Sequence, residues 1–291
     1  MTQSSYKAWL EISRPLNVIL GGITCYLGGY IAGIDDSTHL ALILSSSSVM
    51  LFMAAGNVVN DIMDSAIDAD AHPSRPIPSG RINRSLAKGV AGGLWIVSLL
   101  LMGISANLLK GAADLWWGAI LIWSIAAILM LSYDLGPRTK QRGLAGNIVI
   151  SLLVGVVIIF GAASVGMVYL PLIWLVGATS FFINLAREII KDCEDLEGDS
   201  KTRNSLPMTV GKEKARMIAY SISMGGIVCA ALPYYLGYFH LGFLLFQLPA
   251  ILLVLTCNGK MMSGDDKSCQ LQLRQGLVMG LLGFSASVGF S

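Results

Sequence analysis

Asn57, Asp61, Asp64 and Asp68 recur at i, i+4, i+7 and i+11 in GNVVNDIMDSAIDAD, and Glu188, Asp192, Asp195 and Asp199 repeat that spacing in REIIKDCEDLEGD. At 3.6 residues per turn, each set forms one stripe along one helix face. Carboxylates stacked on one face repel each other. A chain that builds two such stripes is therefore expected to hold cations, and through them a further anion. Magnesium suits the pattern, because it binds through a few carboxylates and completes its shell with water and phosphate oxygens. Two facing stripes would hold two or more ions bridged by a diphosphate. Arg75, Lys140, Arg142, Lys201 and Arg203 are placed to take the remaining phosphate charge.

The elements that carry these stripes are membrane elements. The chain is 54% hydrophobic and only 13% charged, with a mean hydropathy of +0.67, a composition foreign to soluble domains. Apolar runs near 16–34, 40–60, 88–107, 114–132, 144–165, 168–188, 214–236, 241–258 and 272–290 predict nine transmembrane helices. All must be helical, since open strands leave backbone groups unsatisfied in lipid. The first run is too long, and followed by too many others, to be a cleaved leader. Residues 1–291 therefore predict a single all-α polytopic membrane domain around a central cavity. Every Lys and Arg except Lys110 falls on one side of this topology, which the positive-inside rule makes cytoplasmic. Both stripes end on that side. The expected surroundings are membrane lipids, and nucleic acid is not an expected partner.

The two halves resemble each other. Arg75, Pro76, Pro78 and Gly80 follow the first stripe, and Arg203, Pro207 and Gly211 follow the second. This suggests a duplicated four-helix unit of the kind found in membrane proteins built from internal repeats. The five cysteines have no framework spacing and read as small buried residues. An apolar bundle with a polar metal end suits an isoprenoid diphosphate, whose departure leaves an allylic cation for a nearby acceptor to capture. No protein nucleophile is needed. One acidic stripe alone could be a solvated helix face. A cation transporter is the stronger rival, but the stripes sit at helix ends rather than at mid-bilayer.

At these residues the chain resembles the UbiA superfamily of intramembrane prenyltransferases. The motif NDxxDxxxD followed by RPxxxG is matched by Asn60, Asp61, Asp64, Asp68, Arg75, Pro76 and Gly80, and DxxDxxxD by Asp192, Asp195 and Asp199. The resemblance implies a nine-helix bundle, a magnesium-bound prenyl diphosphate and a capping cytoplasmic loop. It makes Asp61, Asp64, Asp68, Asp192, Asp195 and Asp199 the catalytic carboxylates. Asp61, Asp64, Asp192 and Asp195 would bind the metal, assisted by Asp68 and Glu188, with Asn57, Asn60 and Asp199 in support. Lys140 matches the family's basic diphosphate contact, in YDLGPRTKQRGLAGN, with Arg142 beside it. REIIKDCEDLEGD, RPIPSG and GLAGNIVISLLVG look most like the branch that joins geranylgeranyl diphosphate to geranylgeranylglyceryl phosphate in archaeal lipids. Aromatic and tetrapyrrole acceptors are the alternatives. A lipid phosphate acceptor needs cations of its own, and Arg14, Arg187 and Lys191 are the candidates.

Overall fold

Residues 3–111, 113–196 and 204–291 are described by a computed structural model, and every regular element among them is helical. In chain order these are α1 (Gln3–Ser13), α2 (Pro15–Gly33), α3 (His39–Ala71), α4 (Arg84–Leu109), α5 (Gly118–Asp134), α6 (Leu144–Ala163), α7 (Pro171–Glu194), α8 (Leu206–Val210), α9 (Lys212–Tyr235), α10 (Leu248–Ser263) and α11 (Asp266–Gly289). Proline in the first turn opens α2, α7 and α10, where its missing N–H is not needed. Asn83 caps α4 by accepting from the Ser85 and Leu86 amides.

Each apolar run read from the sequence falls on helix, the run near 241–258 on the 3₁₀ stretch Leu241–Gln247 and α10 together. Among the described residues, seven helical segments are long and apolar enough to cross a membrane. The other two runs fall on α5, which is shorter at 17 residues, and on α11, whose opening DKSCQLQLRQ dilutes its apolar stretch.

The acidic helices hold equivalent places. α3 packs between α2 and α4, and α7 between α6 and α9. α2 joins the halves by packing on α6, while α11 packs on α10, α7 and α2. Close approach depends on small residues. A β-carbon on Gly161 would lie 2.0 Å from the Cys25 carbonyl oxygen, and one on Gly28 would lie 2.4 Å from that of Ile158. Between α3 and α4 the contact is made by buried serines. Ser45 and Ser105 share a hydrogen bond of 2.8 Å, and the Ser48 hydroxyl donates to the Ser98 carbonyl at 2.7 Å. Cys257 and Cys269 are buried, as read from the sequence, and a disulfide joins them across α10 and α11. Cys25 and Cys193 are buried free thiols, and Cys229 is half-buried.

With 33 residues, α3 is about 50 Å long at 1.5 Å per residue, against a hydrocarbon core of about 30 Å. One end must therefore leave the apolar layer, and it is the end that carries the first stripe. α1 and the 72–83 loop cover it. Ala8 and Ile12 of α1 pack with Val58 and Ile62 of α3 and with Ile82 of the loop, and Arg81 pairs with Glu11 at 2.8 Å.

Candidate active site

The first stripe is neutralised by three cations from three separate segments. Arg14, between α1 and α2, donates to Asp61 at 2.6 Å. Its backbone sits in the left-handed region at φ 52°, a conformation a non-glycine residue holds only where its surroundings impose it. Arg75, in the loop after α3, donates to Asp68 at 2.6 Å. Lys140, in the 3₁₀ turn Thr139–Gln141, donates to Asp64. Asp61 and Asp68 are buried, so their charges depend on these partners. The two asparagines of the motif also have fixed partners. Asn57 donates to the Ser13 carbonyl at 2.9 Å, and Asn60 donates to the buried Asp134 carboxylate at 2.9 Å.

Seven residues beyond Lys140, Asn147 in the first turn of α6 donates to Asp192 at 2.7 Å. The segment from 139 to 147 thus holds a carboxylate of each stripe and ties the two acidic helices to one place. The loop that follows the second stripe also meets this segment. The Asn204 amide donates to the Gln141 carbonyl at 3.3 Å, and a β-carbon on Gly143, which lies at φ 54°, would come within 2.0 Å of the Asn204 oxygen. Only glycine allows that approach.

In the second stripe Glu188 accepts from Arg187, its neighbour in sequence. Asp192 is buried, Asp195 is exposed at the end of α7, and Lys191 is half-buried. Arg142 is exposed beyond the 3₁₀ turn. Asp199, Lys201 and Arg203 lie outside the described residues. Among the described residues, no three Asp, Glu, His or Cys side chains converge as a metal cage. The donor set still suits magnesium: carboxylates spaced one helical turn apart, few per ion, beside cations that match phosphate.

Two cavities open beneath this polar end. One, of about 180 Å³, runs among α3, α5 and α6 and is walled by Phe52, Trp123, Met130 and Phe160. The other, of about 410 Å³, runs among α2, α7 and α11, with Asn17, Asn184, Arg187 and Arg274 among apolar side chains. Met53, Asn57 and Val154 line both.

Three polar residues at this end were not singled out from the sequence. Asn147 and Asp134 each carry a legible signal, a polar residue within a turn of the end of an otherwise apolar helix. Arg274 carries a weaker one, because its stretch is polar throughout.

Fold and site together define a class: a helical membrane protein that gathers carboxylates and cations at the mouth of apolar chambers. The chain belongs to the UbiA prenyltransferase family, whose profile matches residues 22–279. The digeranylgeranylglyceryl phosphate synthase of Methanopyrus kandleri is 32% identical over 287 residues, spanning 97% of this chain and 99% of that protein. A solved structure of digeranylgeranylglyceryl phosphate synthase superposes with a TM-score of 0.74 at 28% identity, over 98% of both chains. A UbiA homologue from Archaeoglobus fulgidus, bound to DMAPP and Mg2+, shares the fold at a TM-score of 0.62 and 15% identity, over 95% of this chain and 99% of that one.

Proposed function

We propose that this prenyltransferase moves a geranylgeranyl group from geranylgeranyl diphosphate to geranylgeranylglyceryl phosphate, forming the second ether bond of archaeal membrane lipids and releasing diphosphate. The observation that carries this reading is the pair of cavities meeting at Asn57 under one polar end, one otherwise apolar and one with two arginines. Two lipid substrates need two apolar channels and one shared reaction point. The near full-length likeness to a digeranylgeranylglyceryl phosphate synthase supports the same assignment.

Asp61, Asp64, Asp68, Glu188, Asp192 and Asp195 would hold magnesium, which neutralises charge as the diphosphate departs. Lys140, Arg75 and Arg14 already face the first stripe and are placed to turn toward phosphate oxygens. The bond between the allylic carbon and the diphosphate oxygen breaks. The acceptor hydroxyl attacks that carbon, forming the ether, and its proton passes to the released diphosphate. Apolar walls keep water, a competing acceptor, away from the allylic cation. The sided charge supports a reading in which this chemistry takes place at the cytoplasmic face of the cell membrane.

The test is a radiolabel transfer assay in detergent, with labelled geranylgeranyl diphosphate, magnesium and one acceptor at a time. A magnesium-dependent ether product with geranylgeranylglyceryl phosphate, and none with 4-hydroxybenzoate or a chlorophyllide, is the expected result. Transfer to an aromatic acceptor alone would overturn the acceptor assignment.

A further inference from the structure

The second cavity contains an arginine that the site described above does not use. Arg274 lies eight residues into α11, and Arg187 seven residues before the end of α7. At 1.5 Å per residue both are about 10–12 Å from their helix ends. Those ends are neighbours, since Gln270 of α11 donates to Glu194 of α7. Arg274 is one turn beyond Gln270, on the same helix face, and Arg187 is two turns before Glu194 on its face. The two guanidinium groups therefore stand at matching depth in the wall of one chamber.

Their surroundings differ. Arg187 is committed to Glu188 and lies 3.3 Å from the Asn184 oxygen. Arg274 makes no ion pair among the described residues. Its polar neighbour is the Asn17 oxygen, 3.5 Å from Nη2. Arg274 is exposed where it lines the chamber, so its guanidinium is open to an incoming anion. Its fork matches the oxygens of a phosphate monoester.

We propose that Arg274, with Arg187 as its partner across the chamber, binds the phosphate of the lipid acceptor and selects a phosphorylated acceptor over its neutral counterpart. This rests on the transfer reaction proposed above. It gives the acceptor a phosphate seat on α7 and α11, joined to the second stripe through the Arg187–Glu188 pair. A headgroup of a surrounding phospholipid presents the same chemistry, so the two sources must be separated by experiment.

The experiment uses full-length protein in phospholipid-free detergent. Binding of geranylgeranylglyceryl phosphate and of geranylgeranylglycerol is measured calorimetrically without magnesium or donor, and transfer kinetics are measured for both acceptors. Arg274→Gln should weaken binding of the phosphorylated acceptor, and raise its KM, by about 10- to 100-fold, the loss expected for hydrogen bonds to a charged group. The KM for geranylgeranyl diphosphate should not change, and geranylgeranylglycerol should bind wild type and variant equally. Arg274→Lys should recover part of the loss, which guards against a folding defect. No loss in Arg274→Gln, or an equal loss with both acceptors, overturns the assignment and leaves Arg274 an anchor to bilayer phosphate. Wild-type protein that neither binds nor prenylates geranylgeranylglyceryl phosphate overturns the proposed function as well.

Discussion

The two acidic stripes share a spacing, yet the chain secures them differently. Asp61, Asp64 and Asp68 each face a cation from a different segment: the α1–α2 junction, the 3₁₀ turn before α6, and the loop after α3. In the second stripe, Glu188 faces its own neighbour Arg187 and Asp192 takes a neutral amide from Asn147. Support from behind differs as well. α3 is clamped by the apolar contact of α1 and the 72–83 loop. Near the end of α7, the half-buried Arg216 of α9 and the buried Asp266 of α11 form a bidentate pair, at 2.8 and 2.7 Å. The difference teaches that equal spacing fixes equal faces but not equal electrostatics. The cations on the first stripe come from three separate segments, each able to deliver its charge to a polyanion.

Five substitutions press on that comparison. Asp64→Ala or Asp195→Ala should each lower the transfer rate by about 100-fold or more, the scale of losing one charge-stabilising group in a transition state. Both proteins should still insert and elute as folded species. Near-full turnover in either, with magnesium present, would remove that stripe from the chemistry. Arg216→Ala leaves the buried Asp266 carboxylate without its partner. It should cost about 3 kcal/mol of stability, read as a lower midpoint of thermal unfolding in detergent. Asn147→Ala removes one hydrogen bond to Asp192 without touching the first stripe. Groups that orient metal ligands typically contribute about 10- to 100-fold, so a drop in turnover of that size, with a raised magnesium requirement, is expected. An unchanged magnesium requirement would mean that Asn147 only packs. Glu11→Ala removes the exposed pair with Arg81 and should change stability by at most about 1 kcal/mol. A larger shift in the unfolding midpoint would show that the α1 clamp depends on charge rather than on apolar contact.

Much of the fold was legible in the sequence because a bilayer leaves few choices. A run such as GLAGNIVISLLVG must be helical, and the positions of α2 to α7 follow from hydropathy alone. The faces of the stripes were legible for the same reason, since helical periodicity fixes them before any tertiary contact forms. The partners were not, because a partner is a property of closure. Lys140 was read as a phosphate contact, but only the turn at Thr139–Gln141 brings it to Asp64. Arg14 was read as an acceptor contact, and closure of the fold also pairs it with Asp61. Asn147 looked like one polar residue in a greasy helix until α6 packed against α7. The Cys257–Cys269 bond joins two helices whose crossing no spacing rule announces.

The central claim is that the two stripes act as one centre on the donor diphosphate. The measurement that tests it most directly is magnesium-dependent affinity for geranylgeranyl diphosphate in wild type, Asp64→Asn, Asp195→Asn and the double variant. If one diphosphate bridges both stripes, the second substitution should cost much less than it does alone, giving a coupling energy of about 1 kcal/mol or more. Fully additive losses would mean that the stripes hold their ligands independently, and would contradict the account.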